Sequence, residues 1–350
     1  MTTVGIHKQS EGFPAKWAEF LESRGAQVRW LDLLGTDPLE QVRGCDGVMW
    51  HWAHYPHEER LAARPILQVI ETELGIPVFP DLRTAWHYDD KIAQAYLLQS
   101  LGLSAPKTWV FWRRQDAEKW AGSASYPVVA KLAVGAGSSN VKLIRDACEA
   151  WAHIARMFSR TGIIGRGLHP GKATLAGVAK DIAQRILWGG RYMLLKKYPP
   201  LPKQYWMPQK GYALFQEFLS GNEFDTRITV IGDRAFGFRR MNRPGDFRAS
   251  GSGVIDHDPS QVDRRCVELA FEAAPRLRSQ SMAFDILFAG PQREPTIVEI
   301  SYCYADWAVE QCPGHWDRSL QWHEGRMWPE EAHVIDFLER IKTQRGGPAG

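Results

Sequence analysis

Cysteine is scarce. The 350 residues hold five, at positions 45, 148, 266, 303 and 312. An odd number with no paired spacing argues against a disulfide framework and against a zinc site, and predicts reduced thiols in a cytoplasmic protein. No apolar run approaches the roughly 18 residues of a membrane-spanning helix. The opening Met-Thr-Thr-Val-Gly-Ile-His-Lys lacks the long apolar stretch of a secretory leader and reads as a first strand. Neither an internal repeat nor a low-complexity segment is present, which sets aside solenoid and linker architectures. Charge is nearly balanced, 43 Lys and Arg against 40 Asp and Glu for a net +3.

That balance hides a local excess. Residues 151–210 contain eleven basic residues and a single acid, Asp181, leaving 32 basic and 39 acidic residues elsewhere. One segment therefore carries the positive charge. Apolar residues at 44% and charged residues at 24% are ordinary for a globular protein able to bury a large core. Fifteen tryptophans are many, and most belong in cores or between lobes.

The first hundred residues alternate strand and helix patterns. Thr3 to His7, Gln27 to Leu34, Gly47 to Trp52 and Pro77 to Pro80 read as strands, and Trp17 to Ser23, His57 to Leu74 and Asp89 to Leu101 as helices. Such alternation implies a parallel sheet covered by helices. Ligands of these sheets bind beyond the carboxyl ends of the strands, which places His51, Trp52 and His54 near a site. His51, His54 and His57 have no Cys or paired carboxylate beside them to complete a metal site, so substrate contact is the functional reading to keep.

Pro106 breaks the preceding helix and opens a second unit. Trp109 to Trp112 and Tyr126 to Leu132 are strands, Ala117 to Ala121 is helical, and Val141 to Ile144 returns as a strand after the loop Ala133-Val-Gly-Ala-Gly-Ser-Ser-Asn140. Residues 151–210 read as an inserted elaboration, with helices near 151–158 and 173–187 around a Gly-rich break. Two strands follow between Ala213 and Gly232, and another at 234–241. Asp263 to Leu277 is an amphipathic helix. Met282 to Phe288 and Pro295 to Ile300 form a hairpin across a Gly-Pro-Gln turn. Residues 346–350 are expected to be disordered. The organisation expected is an N-terminal α/β unit at 1–103, a small lobe at 104–215 carrying the basic insertion, and a C-terminal lobe at 216–345.

Several residue choices make no sense for stability alone. The loop at 133–140 exposes consecutive backbone N–H groups, a concave donor site for phosphate. Lys131, inside the apolar run Pro-Val-Val-Ala-Lys-Leu, costs free energy unless its ammonium meets an anion. Asp285 and Glu299 sit in the middle of apolar strands, and antiparallel pairing across the short turn can place both on one face. Two carboxylates that close repel unless a cation lies between them. Magnesium, which takes oxygen ligands and bridges phosphates, is one answer. An arginine for each carboxylate is the other. Arginines do cluster here: Arg227, Arg239, Arg240 and Arg248, whose planar forks suit phosphate and carboxylate oxygens.

Taken in order, Asp90-Lys91, Lys131 with the loop to Asn140, Gln216-Glu-Phe-Leu-Ser-Gly-Asn-Glu223, Asp225-Thr-Arg-Ile-Thr-Val-Ile-Gly232, Asp246-Phe-Arg-Ala-Ser-Gly-Ser-Gly253, Asp285 and Glu299-Ile-Ser301 resemble the ATP-grasp superfamily. The ribosomal-protein glutamate ligase and D-alanine–D-alanine ligase branches are the nearest in pattern. The resemblance spans about residues 80 to 305. It implies an α/β N-terminal domain followed by a two-lobed ATP-grasp fold, with ATP and Mg²⁺ as cofactors. Lys91, Lys131 and the loop residues Gly135, Gly137, Ser138 and Ser139 would grip the phosphates. Gln216, Glu217, Phe218 and Leu219 would hold adenine through backbone groups, and Glu223 would bind ribose. Asp285, Glu299 and Ser301 would take the metal positions; the family normally has Asn where Ser301 stands, which puts the second metal position in doubt.

The reaction implied is ATP-dependent joining of a small-molecule carboxylate to an amine through an acyl-phosphate, with Arg227, Arg248 and Arg240 stabilising developing charge and the hairpin loop closing as a lid. Two other readings stay open: phosphoryl transfer to a hydroxyl, and nucleotide binding without turnover. The basic insertion, interleaved with aromatics, predicts either a solvated cap or a surface for an anionic partner, a glycan or the inner membrane surface; nucleic acid comes last, since no nucleic-acid motif accompanies the charge. Met49-Trp-His-Trp-Ala-His54, Trp86-His-Tyr-Asp-Asp-Lys91 and Cys312-Pro-Gly-His-Trp316 resemble a bacterial ATP-grasp subgroup associated with surface-glycan assembly, implying an amide on a sugar acid or amino-sugar.

Overall fold

The computed structural model describes the chain apart from residues 10–11, 54–56, 136–139, 165–207, 244, 249–252 and 347–350. In chain order it runs β1 (Thr3–His7), α1 (Pro14–Ser23), β2 (Gln27–Leu31), α2 (Pro38–Gln41), β3 (Gly47–Met49), α3 (His57–Thr72), β4 (Val78–Phe79), α4 (Leu82–Ala85) and α5 (Lys91–Ser100). Then come β5 (Thr108–Phe111), α6 (Arg114–Ala121), β6 (Val128–Lys131), β7 (Val141–Ile144), α7 (Ala147–Met157) and β8 (Ala213–Glu217). The last part holds β9 (Phe224–Ile231), β10 (Arg234–Met241), β11 (Ile255–Asp256), α8 (Arg264–Leu277), β12 (Ser281–Ala289), β13 (Glu294–Ser301), α9 (Asp306–Glu310), β14 (Gly314–Trp316), β15 (Trp322–Glu324) and α10 (Pro329–Gly346).

Three sheets result. The first is parallel, in the order β2-β1-β3-β4, as the strand–helix alternation requires. Its core joins Val4, Ile6 and Trp17 to Phe337 and Ile341 of α10, so the C-terminal helix returns to cover the N-terminal sheet. That approach needs Gly47: a Cβ there would lie 2.7 Å from both Phe337 and Ile341 side chains.

The second sheet is antiparallel, β5-β8-β6-β7. Alternation decides which side chains face which way. Val128, Ala130, Ala213 and Phe215 pack with Ala117, Ala121, Ala150 and Ile154 of α6 and α7, which turns Val129, Lys131, Leu214 and Gln216 to the opposite face. α7 begins four residues before the expected start because Asp146 caps it, accepting from Glu149 N. Of the basic insertion, only the ends are described. Ile163 and Gln209 exchange backbone hydrogen bonds of 2.9 and 2.8 Å and close its neck. The helix expected at 173–187 lies outside the described residues.

The third sheet runs β13-β12-β9-β10-β14-β15, with β11 paired to β10. Its apolar face packs on α8, with Val267, Ala270 and Ala274 meeting Ile228, Met282 and Phe284 in one core. Residues after Ser301 supply α9, β14, β15 and α10. Among the described residues no helix is long and apolar enough to cross a membrane.

Candidate functional site

The small sheet and the large sheet face one another across a cleft whose floor is β13 and whose side is α5. Asp90 caps α5 by accepting from Ile92 N and Ala93 N, which leaves Lys91 as its first residue, almost wholly buried. Lys91 Nζ donates to Gly135 O at 2.7 Å and lies 3.4 Å from Glu299 Oε1. Asp89 Oδ1 accepts from Gly135 N at 2.7 Å. Asp89 and Lys91 thus clamp both backbone groups of the first loop glycine. Only glycine serves there: φ is +124° and a Cβ would meet Asn140 Nδ2 at 2.1 Å. Gly137, Ser138 and Ser139 lie outside the described residues.

Lys131 ends β6. Its Nζ donates to Val298 O at 3.4 Å. Burial lowers its pKa to about 8; Glu299 opposes that shift and Lys91 adds to it. α5 is locked to β13 by a residue the sequence reading missed. The buried Gln94 donates from Nε2 to Ile300 O at 2.9 Å and to His87 O at 3.3 Å. Its signal was a glutamine on the otherwise apolar inner face of α5.

The acidic residues form a cross-strand row. Asp285 stands opposite Glu299 on one side and opposite Arg227 on the other, so period-two alternation puts all three on the same face. Arg227 grips Asp285 with both arms, Nε to Oδ1 at 2.7 Å and Nη2 to Oδ2 at 2.9 Å. Arg240, buried one strand further, reaches Asp285 Oδ2 at 2.7 Å and Asp225 Oδ1 at 2.7 Å. Burial by itself would raise the pKa of Asp285, yet the two arginines outweigh it and hold the carboxyl well below the usual range. Glu299 differs: its side chain is 37% exposed and its ion-pair partner is Lys91.

These contacts decide what metal the row can hold. Among the described residues there is no group of three or more His, Cys, Asp or Glu placed to share an ion. The Ser301 hydroxyl donates to Cys303 O at 2.7 Å and accepts from Cys303 N at 3.2 Å, so it is turned onto its own chain. Glu299 and the outer lone pairs of Asp285 fit a magnesium ion that arrives with phosphate and water ligands of its own. They do not make a self-sufficient metal cage.

A cavity between the two sheets gathers these groups. Val129, Lys131, Phe218, Arg248, Asp285 and Glu299 are among its walls, and Gln216, Glu217 and Leu219 also line it. Glu217 exchanges contacts with Lys107, its N donating to Lys107 O at 2.8 Å. Phe218 packs edge-on against Phe247 at 5.6 Å, which brings in the loop bearing Arg248. Arg248 is paired with Asp246 two residues back, Nη2 to Oδ2 at 2.6 Å. Glu223 is exposed and is not part of the lining, which instead takes in Asn222, Asp225 and Asn242. Asn222 was missed in the sequence; it pins the connection by donating to Phe288 O at 3.0 Å and accepting from Phe288 N at 2.9 Å.

The histidines near the parallel sheet fare differently. His51 is buried, stacked on Phe13 at 3.9 Å, and burial lowers its pKa to about 3. It is a core residue, not a ligand contact. Trp52 is also buried, and its carbonyl accepts from Tyr302, tying the parallel sheet to the end of β13. His54 lies outside the described residues.

No protein-family model matches this sequence, and no characterised protein matches it. Solved structures do match its fold. A RimK-domain ATP-grasp protein from Sphaerobacter thermophilus is 15% identical over 97% of this chain and 100% of its own, with a TM-score of 0.53. D-alanine–D-alanine ligase from Bacillus anthracis is 11% identical over 99% and 100%, with a TM-score of 0.52. The ATP-grasp ligase PsnB, solved with a minimal precursor, Mg and ADP, is 14% identical over 97% and 98%, with a TM-score of 0.53. The chain has the fold shared by these structures.

Proposed function

On this ATP-grasp fold, we propose that the chain is an ATP-dependent carboxylate–amine ligase working through an acyl-phosphate. The observation that carries the reading is the row Glu299–Asp285–Arg227, whose two acids line a cavity together with Lys131, Arg248 and the connection Gln216 to Leu219. The three sheets are taken as an N-terminal unit and two ATP-grasp lobes.

Bound as its magnesium complex, ATP supplies the γ-phosphoryl group that activates the acid. The chain's own groups hold and balance charge. Lys91 and Lys131 meet the phosphate oxygens, together with the backbone of the 135–139 loop. Glu299 and Asp285 would hold the magnesium that comes with the nucleotide, which would neutralise phosphate charge there. Arg227 is half-buried and held by two hydrogen bonds to Asp285, so it can present one of its other N–H donors to a phosphate oxygen without losing Asp285. Arg240 is enclosed by two aspartates and acts as a positioning residue. Arg248, on the cavity wall, is the group placed to meet charge on the substrate.

The steps balance as follows. A substrate carboxylate oxygen attacks the γ-phosphorus and ADP leaves. The amine nitrogen then attacks the acyl carbon, phosphate leaves, and the amine gives up a proton. Water must be kept from the acyl-phosphate meanwhile. Ser301, bonded to its own chain, leaves fewer metal donors than the pattern it resembles, so nucleotide binding without turnover is the second reading.

The acid and amine come from the site only as classes. One structure of the same fold is solved with a precursor peptide, and another is a D-alanine–D-alanine ligase. Peptides and amino acids therefore join sugar acids in the panel. The glycan reading rests on sequence resemblance alone. The test is phosphate and ADP release over that panel, with and without amines, followed by product mass. Release that requires acid and amine together, with a product lighter than their sum by one water, supports the ligase. ADP release with a hydroxyl acceptor alone, without free phosphate, means phosphotransfer. Tight ATP binding without release across the panel means a binding module.

A further inference from the structure

A second cavity lies behind the two lysines. It opens between α5 and the β5–β8 side of the small sheet and has a volume of about 530 Å³, within the size range of small-molecule sites. The groups that mark the nucleotide cleft, Phe218, Arg248, Asp285 and Glu299, are not part of its lining; Lys131, Gln216 and Val298 form the partition that both cavities share. We propose that this cavity binds a small amphiphilic carboxylate, and that its occupant opposes nucleotide binding from the far side of Lys131.

The chemistry of the walls selects that class. Lys91 and Lys131 stand at the inner end and Lys107 at the exposed mouth, while the lining contains no Asp or Glu among the described residues. Three cations around one cavity without a lining acid give it a positive potential. Lys107 lies over the Trp109 ring, 5.4 Å from its centre. Between the ends Leu98, Leu103, Leu214 and Val298 form an apolar strip beside the uncharged Gln94, Gln99, Thr108 and Gln216. A charged head against the lysines and a hydrocarbon body along that wall satisfy both features. A triphosphate would leave the apolar wall unmatched.

The antagonism rests on the proposed nucleotide site. An ammonium has three donors, and Lys131 has one hydrogen bond among the described residues, a long one to Val298 O at 3.4 Å. A carboxylate drawing Nζ toward the second cavity takes it from the phosphates on the other side.

Isothermal titration of the full chain tests this, with octanoate as the probe and neutral octanol as the control. One octanoate per chain is expected, with octanol at least tenfold weaker. Ala95→Trp fills the cavity from a half-buried position on α5, and Lys107→Glu reverses charge at the exposed mouth. Each should weaken octanoate at least fivefold while leaving the thermal midpoint and the affinity for MgATP unchanged. Saturating MgATP should weaken octanoate severalfold, and the reverse. Octanol binding as tightly as octanoate, no octanoate binding at all, or wild-type octanoate affinity in the folded Lys107→Glu chain would overturn the assignment. If MgATP fails to bind while octanoate behaves as stated, the nucleotide reading falls and the carboxylate site stands.

Discussion

Asp285 and Glu299 are neighbours in one row, but their surroundings differ enough that replacing them should separate stability from nucleotide grip. Glu299→Gln removes an ion pair of 3.4 Å whose acid is 37% exposed. The buried Lys91 keeps Gly135 O and can still donate to the amide oxygen of Gln, so the loss is about 1–2 kcal/mol and the thermal midpoint should move by no more than about 4 °C. Asp285→Asn removes the acceptor of two hydrogen bonds from Arg227 and the near contact of Arg240. Arg240 keeps Asp225, and the amide oxygen of Asn can still accept once. Arg227 is left half-buried without its charge partner, a loss of about 3–5 kcal/mol for a broken buried pair. The midpoint should fall by about 5 °C or more.

Nucleotide binding should rank the two the other way. Affinity for ATP is measured by titration in Mg²⁺ and again in EDTA, which needs no knowledge of the acid or the amine. The wild-type chain should bind more tightly with Mg²⁺. In Glu299→Gln at least about tenfold of that gain, about 1.4 kcal/mol, should vanish, because the half-exposed carboxylate is the one free to face the metal. If Glu299→Gln keeps the whole Mg²⁺-dependent gain, the carboxylate does not meet the metal and the proposed function loses its support. If Asp285→Asn melts with the wild type, the arginine network does not stabilise the lobe as argued.

Other outcomes follow from single residues. Lys131, lowered to about 8 by burial, loses its proton as pH rises past that value, so ATP affinity should weaken between about pH 7 and 9.5; Lys131→Met should bind weakly and show a flatter profile, and a flat wild-type profile would count against the role. Glu330 is wholly buried, and burial, with Asp306 nearby, pushes its pKa from 4.5 up to about 8. Its protonated form suits the fold, so its contribution is complete below about pH 4.5 and is lost as pH rises through about 8. Glu330→Gln should therefore raise the thermal midpoint at about pH 8.5 and leave it nearly unchanged at about pH 4.5, and equal shifts at both would refute the buried titration. Gln94→Leu strips the bonds to Ile300 O and His87 O; His87 O keeps Asp90 N, while the tie from α5 to Ile300 O is lost, at a cost of about 1–3 kcal/mol; a midpoint equal to wild type would show that α5 does not depend on this tie.

Much of this site could be read because charged residues stood where alternation demanded apolar ones. Lys131, Asp285 and Glu299 each interrupt a buried strand, and a short turn was enough to pair the last two. What could not be read was the neighbour on the other side of Asp285. β12 pairs with β9, an element some fifty residues earlier, and nothing local announces that strand order. Of the two answers offered for the carboxylates, a metal cation or an arginine, the arginine is seen at Asp285, and Glu299 pairs with Lys91. Asp285 has the arginines, while Glu299 keeps an exposed face. Ser301 was visible as a departure in the pattern, but only coordinates show its hydroxyl turned to Cys303. His51 illustrates the opposite error. A strand end in a parallel sheet suggested a ligand contact, and packing against Phe13 made it core.

The loop and the cation row are joined through Lys91, and that linkage says how the cleft can respond to a triphosphate. Within the chain, Glu299 and the Gly135 carbonyl share the Lys91 ammonium, Asp285 is held by Arg227 and Arg240, and Asp225 by Arg240. The row is therefore compensated internally, and an incoming phosphate meets first the cation that holds its present partners least firmly. Lys131, with its long bond to Val298 O, is the cheaper cation to recruit. Lys91 costs more, because taking it releases Gly135 O while Asp89 still holds Gly135 N.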